Sequence, residues 1–325
     1  MLLIVFVVAA ALSAGASVLL VSRLERVGER LGLAEALLGL IVALAADGPE
    51  ITSALAAVIT GQRDIGVGVA LGSNAFNLAA MLGLSAVAAG GLRLPRFATA
   101  LEGSLALTIA VLAGAVVMTW ISALAGLLLA LAAFLPYVVL CALTPAARAR
   151  LPLPRRLLTF LRRAVDEERI TIDRAPRADR TDAVAAVVAA LAVIAASFVM
   201  EQSATAMGVD AGISPIIVGG LILAAVTSLP NAVAALYLTL RGRGIAAMSE
   251  AFHSNAFNVL LALLVPLVIA GLGQPTGGAV LAAGTYLALT AAAVAFAFGG
   301  RGLGRPAGLL LIGGYLAYVA LVVAI

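Results

Sequence analysis

Residues 39–55 read GLIVALAADGPEITSAL, and residues 220–236 read GLILAAVTSLPNAVAAL. Further along, LGSNAFN at 71–77 returns as FHSNAFN at 252–258. One offset of 181 residues relates both pairs, so Gly39–Asn77 aligns with Gly220–Asn258 without a gap. Each copy places a proline inside an apolar run and follows it with polar side chains. A proline within a helix removes one backbone donor and clashes with the carbonyl four residues back. Hydrocarbon offers no water to the freed group, so such breaks persist in membranes where they line a cavity. Proline-broken helices at matching positions of two halves are the mark of a secondary transporter built by duplication.

Hydrophobic residues make up 63% of the 325, only 11% are charged, and mean hydropathy is +1.17. A soluble chain of that balance lacks the polar surface to cover itself. Apolar runs long enough to cross a bilayer fall at roughly 1–22, 32–60, 64–90, 97–119, 120–144, 182–202, 211–240, 244–272, 277–299 and 305–325. The first begins at Met1 without a basic flank and reads as a retained helix, not a signal peptide. All twenty basic residues are arginine. With the N-terminus outside, every arginine but Arg63 falls on the inner side, as the positive-inside rule requires. The net charge of +4 therefore reflects topology and is not a nucleic-acid footprint. Cys141, the single cysteine, excludes an intramolecular disulfide and a cysteine metal cluster, and reads as a small buried hydrophobe.

The expected fold is an all-α membrane protein of ten transmembrane helices. Residues 1–144 form the first five-helix repeat, 145–181 an arginine-rich cytoplasmic linker, and 182–325 the second repeat. Five crossings per half make the second repeat enter the membrane in the opposite sense, so the repeats are inverted. The expected location is a bacterial cytoplasmic membrane. Within the linker, PRRLLTFLRRAVDEERI has Leu157, Leu158, Leu161 and Val165 on one side and arginines on the other. It reads equally as a helix resting on anionic headgroups or as a solvated tether.

The first break, Ala46-Asp47-Gly48-Pro49-Glu50, carries two carboxylates. Each costs on the order of 2.5–3.5 kcal/mol to ionise at bilayer depth, so two without a purpose are improbable. Hard oxygens of this kind suit Na⁺, Ca²⁺ or a proton. The second break, Thr227-Ser228-Leu229-Pro230-Asn231, repeats the polar cluster with Asn231 where Glu50 stands in the first copy. Asn77 and Asn258 each follow by twenty-seven residues and bring further amide oxygens, with Ser73, Asn74, Ser254 and Asn255 a turn or less away. Singly these polar residues read as interhelical hydrogen-bonding groups. Their recurrence at one offset argues for a shared site.

On these motifs the chain resembles the calcium/cation antiporter superfamily, which includes sodium/calcium and proton/calcium exchangers. The family pattern is G-T-S-x-P-E in each repeat, followed by G-S-N-x-x-N or G-S-N-x-x-D. The resemblance implies a sodium/calcium exchanger-like fold and a cation site of Glu50 and Asn77 with Thr227, Ser228, Asn231 and Asn258. Ala46 and Asp47 occupy the first repeat's Thr-Ser positions. The family presents a glutamate from each repeat, whereas here Asn231 replaces the second and Asp47 restores one negative charge on the first repeat's side. The two carboxylates neutralise one Ca²⁺ or hold two monovalent ions, in an arrangement that looks lopsided along the chain.

His253, the only histidine, stands where Gly72 stands in the first copy. Glu250, Ser254 and Asn258 recur at i, i+4 and i+8 on one helix face. Glu250 reads as a vestibule carboxylate and His253 as its proton-titrating partner, or else as a snorkelling acid beside a packed histidine. Glu35 and Glu102 lie near span starts, and Glu201 and Asp210 in the outer connection between the sixth and seventh spans; all four read as surface charges.

The leading functional expectation is an antiporter exchanging Ca²⁺, or a similar cation, for Na⁺ or H⁺ by alternating access. A monovalent cation/proton exchanger and a non-transporting membrane scaffold are the alternatives. No phosphate loop, nucleophile elbow or zinc cluster supports an enzyme, and no pore motif suggests a channel. No cofactor is expected: the cations are cargo, and the partners are the lipid bilayer and inorganic cations. No nucleic-acid or protein partner is evident.

Overall fold

The computed structural model describes residues 1–31, 35–59, 61, 63–167, 180–213, 217–271, 273–274, 276–299 and 302–324. Arg169, Arg174, Arg177 and Arg301, counted above on the inner side, lie outside them. Among the described residues, eight helices are long and apolar enough to cross a membrane, and two bent helix pairs bring the number to ten.

The first half contains α1 (Leu2–Leu31), the bent pair α2 (Glu35–Ala46) and α3 (Gly48–Ile59), α4 (Ile65–Ala89), α5 (Arg96–Val117) and α6 (Ala123–Ala142). The linker holds α7 (Pro145–Ala149) and α8 (Arg155–Glu167). The second half repeats the order with α9 (Arg180–Asp210), the bent pair α10 (Leu221–Thr227) and α11 (Leu229–Leu240), α12 (Gly244–Ala270), α13 (Gly277–Gly299) and α14 (Arg305–Ala324). Strands β1 (Leu92–Arg93) and β2 (Gly302–Leu303) pair antiparallel and tie the α4–α5 connection to the α13–α14 connection.

Large apolar side chains such as Leu12, Leu128, Val187, Leu191, Leu309 and Leu316 point outward and are more than half exposed. On a soluble protein such a surface would aggregate; here it is the lipid face. The buried centre is polar instead, around α4 and α12. Asn74 Nδ2 donates to Asn255 O at 3.1 Å, and Asn255 Nδ2 returns a bond to Asn74 O at 3.2 Å. These residues are equivalent at the 181-residue offset, so the pseudo-two-fold axis passes between them.

Close helix approach at the centre depends on Gly39 of α2. A Cβ added there would meet Ala246 O at 2.6 Å, Glu250 N at 2.7 Å and Ser249 Cβ at 2.7 Å on α12. Two of the three obstacles are backbone, so no side chain can swing away. Gly39→Ala is therefore expected to destabilise the protein by about 1–3 kcal/mol. Thermal unfolding in detergent reads this as a lowered midpoint, and an unchanged midpoint would reject the close contact.

At the linker face, Arg243 sits among Glu25, Glu29 and Glu35, bonding the first two and lying 3.9 Å from the third. Arg23 and Arg26 of α1 reach Asp182 of α9 at 2.7 and 3.4 Å. These pairs pin α1 to α9 and to the start of α12. The linker helix α8 is docked onto the helix bundle. Glu167 Oε2 accepts from Phe97 N at 2.8 Å and Ala98 N at 3.0 Å, satisfying the open amides at the start of α5. Val165 is buried with Tyr137 and Cys141, and Arg163 lies 5.4 Å over the Phe97 ring. Leu157 is exposed, contrary to the apolar side expected of it. Cys141 is buried, as expected.

Candidate cation-binding site

The two breaks are copies in three dimensions. The first pair bends by 49° and the second by 47°. Asp47 N bonds Ala43 O at 2.9 Å and Asp47 O accepts from Ile51 N at 3.0 Å. At the equivalent positions, Ser228 N bonds Ala224 O at 3.3 Å and Ser228 O accepts from Ala232 N at 3.0 Å. Each helix thus stays bonded through the residue at its bend. The prolines fall in the first turn of the following segment, where a missing N–H is tolerated. The bend turns the side chains at 47, 50, 228 and 231 toward the axis between the repeats.

All seven expected ligands are buried there. Asp47, Glu50, Asn77, Thr227, Ser228, Asn231 and Asn258 each have 0% exposure. Asn231 Nδ2 lies 2.7 Å from Asp47 Oδ1 and 3.3 Å from Glu50 Oε1, holding both carboxylates. Asn258 Nδ2 donates to Glu50 Oε2 and, at 3.0 Å, to Asn74 Oδ1. Its equivalent, Asn77, donates to Asn255 Oδ1 at 3.2 Å and to Ser254 Oγ at 3.1 Å. Thr227 commits its hydroxyl proton to Leu223 O at 2.8 Å and keeps only lone pairs for other partners.

Asp47 points into this cluster, which the broken helix left open. The charge arrangement is also less lopsided than the chain order suggests. Asp47 and Asn231 come from opposite repeats, 184 residues apart, yet touch. A carboxylate moved from position 231 to position 47 therefore stays in the same cluster, within hydrogen-bond distance of the side chain it left.

Ser254 is the residue whose importance exceeds its sequence signal. Its hydroxyl donates to Asp47 Oδ1 at 2.7 Å and accepts from Asn77 and, at 3.3 Å, Asn231. It joins three of the expected ligands. The sequence clues were its place on one helix face with Glu250 and Asn258 and its recurrence as Ser73, whose Oγ instead donates to Ala224 O at 3.3 Å.

The donor inventory explains what the cluster can hold. Asp47 Oδ2, Asn77 Oδ1, Asn231 Oδ1 and Asn258 Oδ1 are buried and receive no hydrogen bond from any described residue. An unsatisfied buried acceptor costs about 1–3 kcal/mol. The three amide oxygens and the two carboxylates form a set of hard oxygens, and rotating an asparagine amide exchanges its donor for its acceptor. Such a set suits Ca²⁺ or Na⁺. Among the described residues no three His, Cys, Asp or Glu side chains gather to hold a metal, so the ligands beyond the two acids are neutral. Immediately after Asn77, and starting at Asn258, each central helix widens into a π-helical stretch, Leu78–Leu84 and Asn258–Leu264. Such widening is frequent at functional sites.

Glu250 and His253 are not part of the hydrogen-bonded cluster. Glu250 is fully buried, so it neither lines an open vestibule nor snorkels. His253 is 1% exposed and packs against Phe134 and Tyr137, with ring centroids 5.9 and 5.2 Å away. Of the expected surface charges, Asp210 is exposed. Glu35 is half-buried beside Arg243, and Glu201 is half-buried and accepts from Ser53 Oγ at 2.7 Å. Glu102 overturns its expectation. It is 1% exposed because α5 turns it inward against α6 and α12.

The family described as sodium/calcium exchanger protein matches residues 1–144 and 182–324, both repeats without the linker. Sodium/potassium/calcium exchanger 3 of Rattus norvegicus is 34% identical over 85 residues, 26% of this chain and 14% of the rat protein. Sodium/potassium/calcium exchanger 4 of Homo sapiens is 39% identical over 70 residues, 22% of this chain and 11% of the human protein. Both alignments thus span only a small part of those longer relatives. The sodium-calcium exchanger NCX_Mj soaked with Na⁺ and Sr²⁺ has the same fold, with TM-score 0.74 at 19% identity over 98% of this chain and 99% of that one. Its form soaked with Na⁺ and Ca²⁺ gives 0.73 at 18% identity, over 98% and 97%. With both repeats matched and the ten-span inverted architecture shared, the chain belongs to the sodium/calcium exchanger protein family, a family of membrane transporters and not of enzymes.

Proposed function

We propose that the protein is a secondary active antiporter that exchanges Ca²⁺ for Na⁺ or H⁺ at the site around Asp47, Glu50 and Asn231. The observation that carries this reading is the set of buried oxygens without hydrogen-bond donors beside two carboxylates on the axis between the repeats. Asp47 and Glu50 supply the charge, and Asn77, Thr227, Ser228, Asn231 and Asn258 supply neutral oxygens. A divalent ion, or its monovalent competitors, neutralises the two acids. The neutral, dehydrated site then lets the surrounding helices rearrange and open to the other side. The inward bias of the arginines supports an outside N-terminus and a cytoplasmic linker.

Uptake of ⁴⁵Ca²⁺ into proteoliposomes tests the proposal, driven by an outward gradient of Na⁺ or, separately, of H⁺. Uptake under one or both gradients is expected. Its absence under both would reject calcium exchange and favour the monovalent alternative.

A further inference from the structure

Between the linker face and the cation site lies a second buried polar cluster, centred on Glu102, that the exchange scheme above does not use. Glu102 Oε1 accepts from Ser249 Oγ at 2.5 Å and from the Tyr137 hydroxyl at 3.2 Å. Its Oε2 is buried with no hydrogen-bond partner among the described residues. Ser249 and His253 stand i, i+4 on α12 and share a face, and Tyr137 reaches both Glu102 and the His253 ring. Neither ring nitrogen of His253 and neither carboxyl oxygen of Glu250 has a partner among the described residues. An unpartnered polar group in hydrocarbon is expensive, and acids kept there are functional by default.

Position decides what the cluster serves. Ser249 lies about 13 Å from Asn258 along α12, toward the linker face, at 1.5 Å per residue. Glu35, half-buried at the start of α2, is the next acid toward the surface, where its Oε2 accepts from Ala246 N at 3.3 Å. On the other side, Glu250 is one turn from Ser254, the donor to Asp47. Along α12 from the linker face, Ser249 beside Glu102 comes first, then Glu250, then His253 and Ser254, whose hydroxyl meets Asp47.

The neighbours of Glu102 come from every element packed on α5. Helix α6 brings Tyr137 and, one turn on, Cys141; α12 brings Ser249 and carries Glu250 and His253 within the next turn; α2, whose Ala36 and Leu37 pack with Leu101 and Leu105, carries Glu35. Helix α13 presents Val294 beside Gly103, and α8 presents Glu167 and Arg163 at the start of α5. Two hydroxyls support Oε1, while Oε2 is free to carry a proton without disturbing either bond. The geometry suits a small mobile charge more than a dehydrated metal ion, for which one carboxylate and two committed hydroxyls are too few ligands.

We propose that Glu102 is a proton-binding station between the linker face and the exchange site, so that protons are one of the exchanged cations. The proposal rests on the antiporter reading above. Uptake breaks an O–H bond of a hydronium ion arriving from the linker face and forms the O–H bond on Oε2, giving the neutral acid and water. Release on the Tyr137 and His253 side breaks that bond, passes the proton to a water molecule and regenerates the carboxylate.

The test uses the full chain in proteoliposomes loaded with a pH-sensitive dye, with calcium binding measured on the same preparations. Wild type is expected to move protons against an applied Ca²⁺ gradient. Glu102→Gln, which preserves size, is expected to reduce that proton flux at least tenfold and flatten the pH dependence of calcium uptake, with calcium binding within twofold. Should Glu102→Gln lose calcium binding, Tyr137→Phe removes only the relay hydroxyl and is expected to slow the flux with binding intact. A wild-type flux and pH profile in a variant that binds calcium overturns the proposal. Sodium-driven calcium uptake without any proton flux in wild type also overturns it, and leaves the antiporter reading standing. Absence of calcium binding by wild type overturns both.

Discussion

Glu50→Gln is expected to lower calcium binding and exchange by at least about 100-fold, equivalent to about 2.7 kcal/mol, while the protein still folds. The loss has two parts. The substitution removes one of only two negative charges that face a divalent ion, in a place with 0% exposure where no solvent screens the change. It also inverts the local hydrogen bonding. Glu50 accepts from Asn231 on Oε1 and from Asn258 on Oε2, and a glutamine can accept on one side only. Either Asn231 or Asn258 must then rotate its amide, disturbing the bond Asn231 makes to Asp47 or the one Asn258 makes to Asn74. The fold should survive because neither helix bend depends on this side chain, and removing a buried charge from the membrane interior is not itself costly. Binding of ⁴⁵Ca²⁺ in detergent and uptake in proteoliposomes measure the effect. Binding within threefold of wild type would show that Glu50 is not a ligand.

What could be read from the chain, and what could not, follows from which interactions are local. Pro49 and Pro230 announce the breaks by covalent geometry, and the 181-residue offset announces the duplication, so the inverted ten-span fold was legible. The buried polar cluster around Asp47, Glu50 and Asn231 was legible because polar atoms in a nearly continuous apolar sequence have few places to go. Glu102 was not. It stands near the start of its span, where an acid ordinarily reaches water, and α5 is apolar on every face, so no periodicity marks which side turns inward. Its burial is decided by Ser249 and Tyr137, residues from two other helices. The direction of Asp47 was illegible for the opposite reason: Pro49 marks a bend in the sequence but not its 49° angle or the side to which it turns. Glu167 shows a third kind of blind spot. It closes a charged run that reads as linker, and its function as a cap appears only when α8 lies across the start of α5.

The contact between Asp47 and Asn231 leads to a prediction that no single substitution tests. At the 181-residue offset, Asp47 is equivalent to Ser228 and Asn231 to Glu50. Relative to a symmetric pair of repeats, this chain has moved one carboxylate from position 231 to position 47. Because the two side chains meet at 2.7 Å, the move keeps the charge in the same cluster and reverses which repeat supplies it. Asp47→Ser alone should remove one of two charges and weaken calcium binding about 30-fold, or about 2 kcal/mol. Asn231→Glu alone should fail for a different reason. It deletes the amide that donates to Asp47, Glu50 and Ser254 and packs a third acid against two others. Like charges at that distance cannot all ionise in a buried site. The double substitution Asp47→Ser/Asn231→Glu restores two acids, one from each repeat, with the introduced hydroxyl able to donate to the introduced carboxylate. It is expected to bind calcium at least tenfold more tightly than either single variant, a difference of about 1.4 kcal/mol, so the two losses do not add. Additive losses in the double variant would mean that the two positions do not share one charge. The asymmetry between the repeats would then be a property of the site itself, and not an exchange of roles between two touching side chains.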